Sequence, residues 1–396
     1  MPTSVGPNTK GEENIVFGYD LGDVSNSYKG EPAVNLLSNV DDWSSGWTGN
    51  LFGNWVNATV TANAGVAPDG TTTASKLTGG YSRWQRINCS TSTTYTFSFW
   101  IKNIDLPIAP QIHIAFGLNG SLVNYNNVTT IALDTIGEWT RVSKTHTSPS
   151  SGINQMEVGV TWSSNYPNTN SVLVWHAMCE QNAHLTPFTA GTRSATEGLK
   201  DLTGNSTIDL TNVSFDSDAQ MTFDGTSDYI SLPSALTSSF NPTQFTVEAV
   251  VNSDSFGVVN SSRPYISNWN TWSPGSQKGF ILRTYGVSQN TSFWWCDGTN
   301  YTSISATTQM STGQYYHILA TYSPSVVTLY VNGVAEATSA NLLTGVVFES
   351  TTRIGHGTIN QGWFDGEIPV AKVYNRALTA SEIKSNFNAI KGRFNI

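Results

Sequence analysis

At 396 residues the chain has room for two domains, and at 12% its charged residues run at about half the usual share. The net charge of −9, with Lys and Arg scattered singly, excludes the basic stripe that a nucleic-acid binder needs. An aromatic content of 11%, including 13 Trp, excludes disorder, and no apolar run is long enough to predict a membrane-spanning helix.

Residues 1–34 read as an extended arm. Gly6, Pro7, Gly11, Gly18 and Gly22 punctuate it, and only Ile15-Val16-Phe17-Gly18-Tyr19 has the make-up of a short strand. Such a segment is stable only when docked, so it is expected to anchor the chain, link subunits or cover a domain. Residues 35–195 read as an all-β domain. Thr94–Lys102 alternates with Tyr95, Phe97, Phe99 and Ile101 on one face. Gln111–Gly117, Glu138–His146, Met156–Trp162 and Val172–Glu180 follow at a spacing that suggests a sandwich.

Gly191–Gly198 is the predicted linker, and residues 196–396 read as a second all-β domain. Met221–Pro233 is hairpin-like, and Phe245–Val251 places Phe245, Val247, Ala249 and Val251 on one face. Tyr315–Tyr322 and Val326–Val331 are further strands, the latter ending in Asn332-Gly333, a strong tight-turn signal. A last strand begins near Gly366 and gives way to Thr379-Ala380-Ser381-Glu382, whose spacing is a capping box that starts a short helix. The predicted fold is all-β: two jelly-roll β-sandwich domains in tandem, preceded by the arm.

Reactive chemistry finds little support. The 6 His show neither His-x-His nor His-Glu-x-x-His spacing, and there is no Gly-x-Ser-x-Gly elbow or phosphate-binding Gly loop. Cys89, Cys179 and Cys296 lie far apart and in odd number, which predicts buried or half-buried thiols. His113 reads as an ordinary strand histidine, and Asp216 and Asp218 as turn formers in a Ser/Asp loop. Sugar recognition is better served, because it needs flat apolar faces flanked by amides and carboxylates. Trp269, Asn270 and Trp272 offer that chemistry in one stretch; Trp294, Trp295 and Asp297 offer it in another. Of the two adjacent Trp, one is expected to face inward and one outward. Trp43, Trp47, Trp55 and Trp84 are similarly interleaved with small polar residues. Core packing is the competing reading for every one of these indoles.

Several stretches carry a family resemblance. "DLTGNS…MTFDGTSDYISLP", "YYHILATY…VTLYVNGV" and "GEIPVAKVYNRALTASEI" resemble the opening, middle and closing elements of concanavalin A-like, LamG-type jelly rolls, over about residues 202–390. "NLLSNVDDWSS", "TYTFSFWIKN", "GEWTRVS" and "VLVWHAMCEQ…LTPFTAGTRS" resemble jelly-roll modules related to carbohydrate-binding modules, which recur in tailed-phage structural proteins.

The resemblance implies binding rather than catalysis. Relatives that hydrolyse glycans carry two carboxylates on one strand, in the pattern Glu-x-Asp-x-x-Glu, which is missing here. Other relatives hold calcium at a sandwich edge, which makes Asp224, Asp228 and Asp365 the candidate ligands; turn formation is the competing reading for Asp224 and Asp228. Met1–Asn8 lacks the regions of a secretory signal, so Asn-x-Ser/Thr triplets such as Asn57-Ala58-Thr59 and Asn300-Tyr301-Thr302 are expected to stay unglycosylated. An adhesive composition without an export signal fits a virion protein, assembled in the host cytoplasm and exposed on the particle. The expectation is therefore a non-enzymatic structural protein of a tailed bacteriophage, of decoration, head-fibre or tail-fibre type. Its partners would be other capsid or tail proteins, two further copies in a homotrimer, and cell-surface glycan. The alternatives are a secreted glycan-binding or glycan-hydrolysing protein and a cement protein with no ligand.

Overall fold

The computed structural model describes residues 14–396 apart from 49–56, 81, 125–127, 163–168, 242, 257–261, 270, 272, 274, 287–288, 342, 344 and 358–361. It is an almost purely antiparallel β protein, as the alternating patterns require. Two compact units are present, and they do not follow chain order. The larger takes in the described residues up to Pro32, then Ser194–Asp216 and Gln220–Ile396. The other is Ala33–Arg193 with Ser217–Ala219.

The first strand, β1 (Ile15–Asp20), pairs with Asp365–Tyr374, which is the domain-covering alternative offered for residues 1–34. Its alternation buries Phe17 and Tyr19 completely, and an isolated arm has no core to receive two such rings. Gly18 N–H donates to Asp201 Oδ1 at 3.0 Å, and the Tyr19 hydroxyl donates to Ile368 O at 2.8 Å. The larger sandwich is thus interrupted in sequence by the whole of residues 33–193.

The next strands belong to the smaller unit. They are β2 (Ala33–Val34), β3 (Thr59–Gly65), β4 (Ala74–Thr78), β5 (Ser82–Asn88), β6 (Thr94–Asn103), β7 (Gln111–Leu118) and β8 (Ser121–Asn124), then β9 (Val128–Thr130), β10 (Thr140–Thr147), β11 (Gln155–Thr161), β12 (Ser171–Glu180) and β13 (Thr192–Arg193). One sheet has the order β10-β6-β12-β4-β3 and the other β5-β11-β7-β8, with β9 also on β7. Between them lie Tyr95, Phe97, Phe99 and Ile101 of β6 with Ile112, Ile114, Val158 and Val160. The predicted linker is ordered: Thr192 and Arg193 pair with Val34 and Ala33, and Ser194 N–H and hydroxyl both donate to Glu197.

The larger unit adds β14 (Ser214–Phe215), β15 (Met221–Asp224), β16 (Ile230–Leu232) and the one-turn helix α1 (Ser234–Thr237). Then come β17 (Phe245–Ser253), β18 (Ser262–Ser267), β19 (Gly279–Tyr285), β20 (Asn290–Cys296), β21 (Tyr301–Gln309), β22 (Tyr315–Tyr322), β23 (Val326–Val331), β24 (Val334–Ala340), β25 (Thr352–Ile354), β26 (Asp365–Tyr374) and helix α2 (Ala380–Phe394). Its major sheet runs β14-β15-β26-β17-β22-β23-β24, with β1 alongside β26; its second sheet runs β16-β25-β18-β19-β20-β21. Phe245, Val247, Ala249 and Val251 face Tyr265, Phe280, Leu282, Phe293 and Trp295 across a single core. Full burial of each such side chain contributes about 1.5–3 kcal/mol.

The helix begins where the capping box sets it. Thr379 Oγ1 accepts from Glu382 N–H at 3.3 Å, and Glu382 Oε2 accepts from Thr379 N–H at 2.8 Å. Ile383, Phe387 and Ile390, spaced to share one helical face, pack on the major sheet's outer side. The Asn332-Gly333 turn leans on Phe387. A Cβ on Gly333 would lie 2.9 Å from Phe387 Cβ, and both turn residues have positive φ, +50° and +74°.

Candidate functional site

The two outer faces of the larger unit differ in what covers them. Under α2, the period-two alternation of β17, β22 and β26 brings Glu248, His317, Lys372 and Tyr374 to the same side, all buried. Glu248 Oε1 lies 2.9 Å from His317 Nε2, while Oε2 accepts from the Tyr374 hydroxyl at 3.1 Å and Asn386 Nδ2 at 3.2 Å. Burial alone would push the Glu248 carboxyl up. Lys372, the His317 hydrogen bond and charge, and Tyr374 outweigh it and hold the carboxyl at about 2. The network engages both Glu248 oxygens and lies sealed beneath α2, away from any ligand.

The second sheet's outer face is aromatic. Register places Ile281 opposite Trp294, Arg283 opposite Ser292, Trp294 opposite Ser303 and Cys296 opposite Tyr301. Phe280, Leu282, Phe293 and Trp295 point into the core, so Arg283, Tyr285, Trp294 and Tyr301 project from the opposite side. Trp294 is half-buried and stacks on Tyr301 with centroids 5.6 Å apart and planes 17° apart. The Arg283 guanidinium lies 4.9 Å from the Trp294 ring centre and 4.6 Å from that of Tyr285. Since β19 and β21 flank β20, Arg283 and Tyr301 reach the indole from neighbouring strands on either side. Burial presses the Arg283 guanidinium down to about 10, still charged at neutral pH. Tyr301 is 49% exposed and Tyr285 40%, which leaves a tyrosine at each end of the row.

The sugar-binding residues read from sequence are therefore divided. Trp295 is wholly in the core, stacked on Phe293, so it has no face for a ligand. Trp269 is fully buried too, packed against Ile281 and Cys296 and edge-on to Trp294 and Tyr301, with its Nε1–H donating to Thr271 O at 2.7 Å. Both indoles are corrected to packing roles, because each is large enough to be worth most when sealed from water. Asn270 and Trp272 lie outside the described residues. Asp297 sits in the β20–β21 turn, where Oδ1 accepts from Thr299 and Asn300 N–H at 2.9 and 2.7 Å. Burial raises its carboxyl, but those N–H groups outweigh it and hold it below the usual range. Among the described candidates Trp294 and Asp297 stay partly exposed, and Trp294 is a support stacked against Tyr301. Tyr301 itself went unread as a site residue, although it is two residues after a Gly-Thr turn and on the outward phase of its strand.

Asp224 and Asp365 face each other across β15 and β26, and Asp228 closes the adjoining loop. Asp224 Oδ1 accepts from the N–H groups of Thr226, Ser227 and Asp228, and its Oδ2 from the Thr226 and Ser227 hydroxyls. Asp228 Oδ2 accepts from Ser214 and Asp224 N–H, and Asp365 Oδ2 from the Ser255 hydroxyl. Turn formation engages the Asp224 oxygens, and longer-range contacts with Ser214 and Ser255 engage one oxygen each of Asp228 and Asp365. Among the described residues there is no group of three or more His, Cys, Asp or Glu able to hold a metal ion, and no helix long and apolar enough to cross a membrane.

In the smaller unit, Trp43 and Trp47 are core residues, stacked 4.0 Å apart, and Trp84 is buried; Trp55 lies outside the described residues. His113 is buried with Nε2 2.6 Å from Thr161 Oγ1, and desolvation lowers it to about 4, as befits a core histidine. Sequence reading passed over Trp100, Trp139 and Trp175, which cluster on the outer face of β6, β10 and β12. There His176, at φ +49°, stacks between Trp175 and Phe188 at 3.3 and 3.8 Å, and its Nε2 lies 3.1 Å from Asp41. The signal was available for Trp100, whose phase in β6 is opposite to that of Phe97 and Phe99.

The family match falls within the larger unit. Residues 224–384 match the family described as the concanavalin A-like lectin/glucanases superfamily. No curated protein matches the chain. Among solved structures it is similar to the binding domain of Paraclostridial Mosquitocidal Protein 1, at 18% identity and a TM-score of 0.38, over 48% of this chain and 49% of that one. It is likewise similar to the botulinum neurotoxin serotype G binding domain, at 14% identity and TM-score 0.38, over 48% of each chain. A third is domain 4 of the extracellular arabinanase AbnA from Geobacillus stearothermophilus, solved with arabinotriose, at 19% identity and TM-score 0.38, over 49% of this chain and 92% of that one. The chain thus spans about half the length of the two toxin domains.

Proposed function

We propose that this chain is a non-catalytic structural protein of a tailed-bacteriophage virion, displaying a lectin-like unit that holds glycan weakly on the outer face of its second sheet. The observation that supports glycan contact is the Arg283–Trp294–Tyr301 stack, which fixes a half-exposed tyrosine ring over a rigid support. A pyranose presents a C–H face to such a ring, and a preorganised ring loses little freedom on binding. What supports the virion placement is the low-charge, Gly- and Trp-rich adhesive composition and the likeness of the first domain's motifs to modules of tailed-phage proteins. Capsid or tail proteins would then be its partners, a homotrimer its assembly and the particle surface its location. Many copies make weak sites sufficient.

A glycan array probed with the purified chain and with Tyr301→Ala tests the reading. The expected result is a set of bound glycans whose signal drops roughly tenfold in the variant, the loss of one stacked ring. A blank array, or signal unchanged in Tyr301→Ala, removes the site. Imaging of particles with a labelled chain tests the location, and label absent from virions overturns it.

A further inference from the structure

A separate cavity of about 160 Å³ lies within the larger unit, where the last turn of α2, β22, β26 and the end of β1 meet. Tyr315 and Phe394 form an aromatic wall, their rings 4.9 Å apart, and Leu21, Met221 and Pro369 supply apolar walls. Two charged side chains border it. Arg393 is already committed, its guanidinium held by both Asp20 oxygens at 2.7 and 2.9 Å and laid over one face of Phe394. Among the described residues no cation pairs with Glu367. The Tyr315 hydroxyl donates to its Oε2, but a carboxylate offers about four acceptor positions, so one hydroxyl does not saturate it.

We infer that this cavity is a binding site for a small organic ammonium carrying a short apolar stem, such as an alkylamine or the end of a lysine side chain. The stem fills the space between Leu21, Met221 and Phe394, the ammonium meets Glu367, and the Tyr315 ring adds its electron-rich face. The volume holds about five water molecules at ~30 Å³ each, which suits a four-carbon amine. Two further carboxylates bear on Glu367. Burial raises its carboxyl, the Tyr315 hydrogen bond lowers it, and the Asp216 and Asp254 carboxylates raise it again. An arriving cation would relieve that excess of negative charge, which an uncharged ligand of the same shape would not.

The test uses the full chain, with n-butylammonium chloride and n-butanol as probes at equal ionic strength, followed by saturation-transfer NMR. Butylammonium is expected to bind at least tenfold more tightly than butanol at pH 8. That preference should vanish in Glu367→Gln and persist in Tyr301→Ala, which lies on the other sheet. Equal binding of the two probes, binding of neither, or an unchanged preference in Glu367→Gln overturns the inference. Should Glu367→Gln fail to fold, the wild-type pH profile decides. Ammonium affinity must fall as Glu367 takes up its proton on acidification, while butanol affinity stays level; parallel profiles refute the site.

Discussion

The two outer faces of the larger unit start from the same material, alternating strands whose other side fills a common core, and arrive at opposite solutions. The major sheet's face carries ionisable groups and is closed by α2; the second sheet's face carries aromatic rings and stays partly open. Ionisable groups need partners once buried, and β17, β22, β26 and α2 together supply them to Glu248. Aromatic rings tolerate partial exposure and can use each other as partners, so the row from Tyr285 to Tyr301 needs no lid. Closure therefore marks the face that maintains the fold, and openness the face available for contact.

The largest expected break in that contrast is Glu248→Ala. It leaves Lys372 buried without its carboxylate and should lower stability by about 3–5 kcal/mol in urea denaturation. A loss below 1 kcal/mol would mean that the closed face is no more demanding than the open one. Acid should act through the same carboxylate. Its folded value, about 2, lies below the usual 4.5, so its stabilisation is complete above about pH 4.5 and lost as pH falls towards 2. The shift corresponds to about 3 kcal/mol. Stability measured between pH 6 and 2.5 should fall steeply in the wild type, and less so in Glu248→Gln, whose carboxamide has no proton to gain.

Gly333→Ala probes the seam between sheet and lid more gently. The new Cβ meets Phe387 at 2.9 Å and occupies a left-handed φ of +74°, so a loss of about 2 kcal/mol is expected. Hydrogen exchange should then speed up in α2 and leave β19–β21 unchanged. Uniform acceleration over both sheets would show that the helix is not a separable lid.

How much of this contrast can be read in the chain follows from the range of each interaction. The period of two that sends Trp294 outward and Trp295 inward is local, and so is the Thr379–Glu382 box that starts α2. Both were legible. The return of Ile15–Asp20 to a strand more than three hundred residues later is not local, since any open sheet edge of matching phase satisfies a short aromatic strand. The site was half legible for a related reason. Alternation fixes which side of the sheet a ring occupies, but burial of Trp269 depends on a loop folding back, and the exposure of Tyr301 on being last in its stack. The Glu367 cavity assembles five separate segments of the chain, and no spacing rule joins them.

The smallest expected effect is the most discriminating. Tyr301→Ala removes a ring that is half in water and touches chiefly Trp294, so its cost to folding should be about 0.5–1 kcal/mol, the worth of an aromatic pair. Glycan signal should nevertheless fall by about tenfold. The comparison to make is with Trp294→Ala, which also removes the support for Arg283 and should cost more stability for a similar loss of binding. If Tyr301→Ala instead destabilises the chain as much as Glu248→Ala does, while glycan signal survives, then the open face belongs to the fold as fully as the closed one. The distinction between them would then lie only in their chemistry, with no bearing on function.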